Sequence, residues 1–265
     1  MLIVTFAAKN TPLNRKIKVS AVSYLNTKPL LYGIERSTLI DDIELTLNYP
    51  AIIAQALRDG TVDLGLVPVA AIPTIPNARV VSDYGLAADG KVASVCIFSK
   101  VPMDKIERVY LDYQSRTSVQ LAQILLEHHW LKQVEFIPAT ENYIASIEGT
   151  TAGVIIGDRA LEQLPNFEYI YDLAEAWKAF TGLPFVFAAW VANKDLPTDF
   201  IAQFNKANEI GLDNLTEIIT QNPYPAYDLN VYYKENIQYF IDEEKIKGLA
   251  LFLEYLNKKA ATTAQ

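Results

Sequence analysis

The chain has 265 residues, 51% of them hydrophobic and 20% charged, a balance that builds a packed core and excludes a disordered chain. Asp and Glu total 31 against 23 Lys and Arg, and no run of cations is interleaved with aromatics, which argues against a nucleic-acid partner. The single cysteine, Cys96, permits neither an intrachain disulfide nor a thiolate metal cluster and points to a reducing, cytoplasmic setting.

The apolar opening has no basic residue ahead of it and is followed by Lys9 and Arg15, so it does not read as a secretion signal. Residues 1–15 match no period and are expected to be an N-terminal extension. The uncharged stretch 64–78 is broken by Pro68, Pro73 and Pro76, and a membrane span needs about 20 apolar residues in succession. No membrane association is expected.

From Lys16 the chain alternates strand and helix. Ile17, Val19 and Ala21 form a period-two strand that runs into the polar loop Ser23-Tyr24-Leu25-Asn26, with Asn26 or Thr27 as a helix cap and Pro29 in the first turn. Ile43, Leu45 and Leu47 make a second strand, Pro50 opens a helix that ends at Gly60, and Val62, Leu64 and Leu66 make a third strand. That alternation is the signature of a parallel α/β sheet. Apolar runs follow at 92–98 and 109–111. Thr117 or Ser118 caps a helix with Val119, Ala122, Leu125, Leu126 and His129 on one face. Phe136 and Ile137 form a short strand, and Val154, Ile155 and Ile156, bounded by glycines, a buried one. After the apolar run 183–192, one long helix begins at Thr198 and another at Asp242. No internal repeat is visible.

The runs 92–98 and 183–192 bracket a second α/β region and are expected to be the crossings between two lobes. Lobe I then comprises residues 16–97 and 188–265, and lobe II residues 98–187, with ligand in a cleft between them, where inter-domain sites commonly lie.

Several chemistries have no support. The two histidines, His128 and His129, are adjacent in a helix and point about 100° apart, so they cannot share a metal; one is expected buried and the other on the surface. There is no Gly-x-Ser-x-Gly elbow and no glycine-rich nucleotide loop. What remains is binding, or catalysis by hydrogen bonds and electrostatics. The loop from Ser23 to Pro29 sets amide, hydroxyl and ammonium groups at a strand end and helix start, where an anion is stabilised, although an ordinary capping loop looks the same. Ser115-Arg116-Thr117-Ser118 repeats that logic, and two such helix starts suit a dicarboxylate. Gly157-Asp158-Arg159 puts a carboxylate and a guanidinium at a strand's C-terminal edge, where an idle surface pair is the plain alternative. Ser94, in an apolar run, needs a hydrogen-bond partner.

Taken together, these segments resemble a known family. Val22-Ser23-Tyr24-Leu25-Asn26-Thr27-Lys28-Pro29-Leu30, Asp63-Leu64-Gly65-Leu66-Val67-Pro68, Asp89-Gly90 with Ser94-Val95 and Phe98-Ser99, Ser115-Arg116-Thr117-Ser118-Val119, Gly157-Asp158 and Trp177-Lys178-Ala179-Phe180-Thr181-Gly182-Leu183-Pro184-Phe185-Val186-Phe187 are similar in order and spacing to the chorismate dehydratase family of the futalosine route to menaquinone. The resemblance implies a two-lobed α/β fold of the type II periplasmic-binding-protein kind and a hydro-lyase that uses no cofactor and no metal. Its substrate would be chorismate and its product 3-[(1-carboxyvinyl)oxy]benzoate, with aromatisation as the driving force. It implies Asn26 and Ser94 nearest the chemistry and a carboxylate site at the Thr117-Ser118 helix start, with Ser23, Tyr24, Thr27, Ser115 and Gly157 also contributing to binding. The proton acceptor is either the substrate's own enolpyruvyl carboxylate or Asp158. Lys91 stands where the family often has proline. Two further readings stay open: the related 1,4-dihydroxy-6-naphthoate synthase, disfavoured because that family relies on a loop histidine, and a non-catalytic binder or sensor of a small dicarboxylate. A homodimer is compatible with the sequence.

Overall fold

The structure, a computed structural model, describes residues 15–263; apart from Arg15, the expected N-terminal extension lies outside the described residues. Contacts divide the chain into two compact units, one formed by the residues up to Ala87 with Val186–Pro223 and Gln238–Asp242, the other by Ala88–Phe185, Tyr224–Ile237 and the residues from Glu243 onward.

In the first unit β1 (Ile17–Ala21), β2 (Ile43–Leu47) and β3 (Leu64–Pro68) alternate with α1 (Lys28–Arg36) and α2 (Pro50–Arg58). β1 pairs in parallel with both neighbours, setting Val19 beside Leu45 on one side and Leu64 on the other. With β4 (Arg79–Ala88), β10 (Phe185–Ala192) and β11 (Gln238–Phe240) the sheet has the order β11-β4-β10-β3-β1-β2, β10 running antiparallel to β3. The long helix expected from Thr198 breaks at Asn214 into α6 (Thr198–Asp213) and α7 (Leu215–Gln221). α6 lies against α1 with backbones in contact. A Cβ on Gly211 would stand 1.7 Å from the Pro29 carbonyl oxygen, and one on Gly33 1.8 Å from that of Ala207. No side chain fits at either crossing point.

Asp63 ties the strand starts of this unit together. Its buried carboxylate accepts from Arg15 Nη1 and Nη2 at 2.6 and 2.8 Å, from Lys194 Nζ at 2.7 Å and from the Lys18 N–H at 2.9 Å. Those partners outweigh the cost of burial and hold the carboxyl well below the usual range.

In the second unit β5 (Val95–Ser99), β6 (Arg108–Leu111), β7 (Glu135–Pro138), β8 (Thr151–Ile156) and β9 (Tyr169–Asp172) have the order β7-β6-β8-β5-β9. β6 is parallel to β7 and β8, and β5 is antiparallel to β8 and β9. Both sheets thus use one plan, in which the first parallel strand is central, the second and third flank it, and an antiparallel strand pairs with the third. The repeat lives in topology and not in residues, which is why the sequence does not display it. Helices α3 (Arg116–His128), α4 (Asp158–Gln163), α5 (Leu173–Thr181), α8 (Leu229–Val231) and α9 (Glu243–Thr263) complete the unit.

The C-terminal region differs from expectation. The sequence places residues 188–265 in lobe I, yet by their contacts 224–237 and α9 group with the second unit, as do residues 88–97. The reason is aromatic packing: Phe252 and Tyr255 of α9 meet the fully buried Trp177 edge-on at 6.2 Å, and Phe185 joins them. Gly248 lets α9 close onto Pro184, whose carbonyl oxygen would stand 2.1 Å from a Cβ there, and Lys259 donates to Gln120 and Gln123 of α3. The chain therefore passes between the units at five points rather than two. Among the described residues no helix is long and apolar enough to cross a membrane.

Two substitutions test these supports. Gly211→Ala should destabilise the protein by about 3 kcal/mol in denaturant unfolding, because α1 must be pushed off α6. Asp63→Asn should cost about 2 to 4 kcal/mol at neutral pH by leaving the cations around it unpaired. The folded carboxyl is held below its unfolded value near 3.9, so this contribution is fully present above that pH and is lost on acidification; the gap between the wild type and Asp63→Asn should narrow below about pH 4.

Candidate functional site

In each sheet the parallel strands deliver their C-terminal ends, and the polar loops that follow them, to one edge. In the first unit β1 leads to a 3-10 turn, Leu25–Thr27, and then α1. Ser23 is exposed, Tyr24 and Asn26 are half-buried, and Thr27 is buried. The Thr27 hydroxyl is committed to the turn: it donates toward the carbonyls of Val22 and Tyr24, at 2.8 and 2.9 Å, and accepts from the Tyr24 N–H. Asn26 is held by its main chain, whose carbonyl accepts from the Tyr239 hydroxyl at 3.1 Å. Its side-chain Oδ1 is buried with no hydrogen-bond partner among the described residues. Buried acceptors are rarely left so, and this one sits at the strand end where open α/β sheets take their ligands.

The second unit offers a denser cluster. Ser94 precedes β5 and is 1% exposed; its Oγ accepts from the Tyr232 hydroxyl at 2.9 Å, and its carbonyl accepts from the Gly157 N–H at 2.7 Å. With Tyr232 as donor, the Ser94 proton stays available to an outside acceptor. Gly157 has φ +64° and ψ −146°, a region that is essentially glycine's alone, and space for a Cβ around it is open. Asp158 follows as the first residue of α4. Burial first, and then the Asp158 charge, push the Tyr232 and Tyr233 phenols above their ordinary range, so both are protonated donors at any physiological pH. Tyr224 donates to the Asp158 carbonyl at 2.9 Å.

Along the same edge, Ser115 and neither Thr117 nor Ser118 caps α3, accepting from the Ser118 N–H at 3.0 Å; Thr117 and Ser118 are buried in the first turn. Arg159 is not idle. Its Nη2 contacts both oxygens of the buried Asp112, at 3.0 and 2.8 Å, and Asp112 also accepts from the Tyr143 hydroxyl and the Gln114 N–H. Ser94, Gly157 and Asp158 are thus gathered, with Ser115, Thr117 and Ser118 on a neighbouring loop of the same sheet. An open pocket of about 710 Å³ on this unit is lined by Lys100, Tyr113, Tyr143 and Arg159 among others and includes none of them.

Two residues escaped the sequence reading. Tyr232 opens a π-turn, Tyr232–Asn236, a rare conformation that concentrates at functional sites; five tyrosines between 224 and 239 were the available signal. Asp172 is the second, a buried carboxylate whose Oδ2 accepts from the Val92 and Ala93 N–H groups immediately before Ser94. The histidines lie elsewhere. α3 has 13 residues and is about 20 Å long, so His128 and His129 sit at the end remote from Ser115. Neither is buried, contrary to expectation: His128 is exposed and lies tilted against Tyr255, and His129 is half-buried against Trp130 and Phe180. Among the described residues no group of three or more His, Cys, Asp or Glu could hold a metal ion. Lys91 is exposed, and its carbonyl accepts from Asn236.

Comparison with known proteins bears on these features. The chain is similar to the chorismate dehydratase of Thermus thermophilus, 28% identical over 262 residues that cover 88% of this chain and 92% of the relative. It is similar to that of Campylobacter jejuni, 28% identical over 150 residues, 56% of this chain and 64% of the other. A Candida albicans protein described as having the generic periplasmic-binding-protein fold superposes with a TM-score of 0.60 at 15% identity, covering 91% of this chain and 94% of its own, so the fold is of that kind. A sequence model of the family described as menaquinone biosynthesis matches residues 17–258, and the chain belongs to that family.

Proposed function

We propose that this protein is a chorismate dehydratase acting in the cytoplasm, which removes water from chorismate to give 3-[(1-carboxyvinyl)oxy]benzoate for menaquinone synthesis. The observation that carries the reading is the buried, unpartnered Asn26 Oδ1 in a chain of this family. Chorismate at neutral pH is a dianion whose one hydrogen-bond donor is its C4 hydroxyl, and a neutral buried acceptor is suited to that group and not to a carboxylate.

In this reading the C3–H bond breaks and its electron pair becomes the third double bond of the ring as the C4–O bond breaks. The oxygen departs as water, taking a proton from the Ser94 hydroxyl, which regains one from the group that accepts the C3 proton while Tyr232 goes on donating to Ser94 Oγ. The C3 proton passes to the substrate's enolpyruvyl carboxylate or, as the alternative, to Asp158. Aromatisation supplies the driving force, leaving the protein to orient groups and to stabilise charge on the leaving oxygen. The carboxylates are assigned to the N–H groups at the α3 start, with Ser115, Thr117 and Ser118, and to the turn that holds Ser23, Tyr24 and Thr27. Because the Thr27 hydroxyl is engaged by its own turn, its contribution is to shape.

Purified protein incubated with chorismate, without added cofactor or metal, should form a product lighter by one water; saturable binding without turnover would instead assign the protein to the binder or sensor class. Asn26→Ala should lower kcat by about 100-fold with little change in unfolding midpoint, since that side-chain oxygen bonds nothing in the fold. Ser94→Ala should lower it comparably while costing about 1 to 2 kcal/mol of stability, because the Tyr232 hydroxyl loses its acceptor.

A further inference from the structure

Asp172 ends β9 and is 6% exposed. Its Oδ1 caps α5, accepting from the N–H groups of Ala174 and Glu175 at 3.0 and 3.1 Å. Capping requires no more than that, and caps commonly sit at the surface. The other oxygen does something separate: Oδ2 accepts from the N–H groups of Val92 and Ala93 at 2.9 and 2.7 Å, about 80 residues earlier in the chain. Ala93 has φ +62°, a left-handed conformation that costs a non-glycine residue about 1 kcal/mol or more and persists only where its surroundings impose it. The imposed turn sets the Ser94 N–H on the Val92 carbonyl at 2.8 Å and leaves the Ser94 hydroxyl on Tyr232.

We propose that Asp172 is a positioning residue for Ser94, its carboxylate holding the turn 92–94 in the one conformation that presents the Ser94 hydroxyl. The inference rests on the reading of Ser94 as a substrate-facing donor. The ionised form is the competent one, because a carboxylate accepts at both oxygens, whereas a protonated Oδ2 would aim an O–H at two N–H groups. The titratable groups that act on Asp172 from the packed elements are Cys96 of β5, whose Sγ lies 3.8 Å from Oδ2 and whose thiol burial pushes well up, and the Tyr227 phenol; Lys91 reaches Cys96 through its charge. Burial pushes the Asp172 carboxyl up to about 6 against the pull of its four N–H donors. A folded value above the unfolded one means that its ionisation opposes folding: the stability it contributes is present below about pH 4 and is lost as pH rises through about 6. Acidification through pH 6 therefore disables the turn without loosening the fold through this group.

The test uses the wild type and Asp172→Asn, whose amide oxygen can still cap α5 while its NH2 opposes the Val92 and Ala93 N–H groups. With chorismate, the wild type should lose kcat below about pH 6 with no matching fall in unfolding midpoint. The amide resonances of Ser94 and Gly157 should shift with the same midpoint. Asp172→Asn should show kcat lowered about 10- to 100-fold with KM less affected, no pH 6 limb, and faster hydrogen exchange at Val92 and Ala93 but not within α5. Wild-type kcat, pH profile and exchange in Asp172→Asn would reduce Asp172 to a helix cap and overturn the proposal; so would a wild type whose Ser94 and Gly157 amides do not shift as the Asp172 carboxyl itself titrates, at whatever pH that occurs, a measurement that needs no variant to fold. If the wild type does not convert chorismate, the functional reading falls, and those amide titrations still decide the role of Asp172.

Discussion

Hydrogen-bond satisfaction at the ends of parallel strands is the constraint on which the rest of this molecule depends. Inside a sheet each strand's N–H and C=O groups are paired by neighbours, but at the C-terminal edge the chain must leave the ladder and find other partners for them. Here it does so with short polar loops and helix starts: Thr27 closes the turn after β1 on its own backbone, Ser115 caps α3, and the Ser94 carbonyl takes the Gly157 N–H. Each solution leaves a few polar atoms unspent, Asn26 Oδ1 and the Ser94 proton among them.

Use of the same order for the three parallel strands and the antiparallel strand beside them in both sheets explains why polar loops recur at equivalent places. The loop after β1 carries Asn26 and the loop after β6 carries Ser115 to Ser118, each following the central parallel strand of its sheet. A helix start in either unit can take a carboxylate, since it offers N–H donors without adding a titratable group.

What could be read from the residues were the features written in local pattern. The strand alternation of Ile17, Val19 and Ala21, the loop 23–29 and the glycine-bounded run 154–156 announce themselves over a few positions. Hidden features depend on contacts distant in sequence. Asp172 followed by Glu175 resembles a helix-start signature and so betrays its bond to α5, but nothing near it signals that Oδ2 reaches Val92 and Ala93. Tyr232 meets Ser94 across 138 residues. α9 joins the second unit through the fit of Phe252 and Tyr255 around Trp177, with Gly248 under Pro184, contacts made with residues about 65 to 80 positions earlier that no local pattern announces. Thr117 and Ser118 look like caps in sequence, yet Ser115 does that work because its extended backbone lets Oγ reach the N–H three residues on.

The groups proposed to act on the substrate, an amide, a hydroxyl and protonated phenols, have a physical logic for a dehydration that ends in an aromatic ring. The thermodynamic pull is in the product, so the protein needs no strong base or acid; it needs donors that stay protonated and acceptors that stay neutral beside a doubly charged substrate. Burial supplies the first by keeping Tyr232 and Tyr233 protonated, and an asparagine supplies the second. Asp172, a buried carboxylate pushed up to about 6, acts in the inference drawn above on the loop that carries Ser94, so its negative charge is spent on backbone N–H groups that would otherwise be unpaired. Charge that could repel the substrate is thereby turned into backbone order.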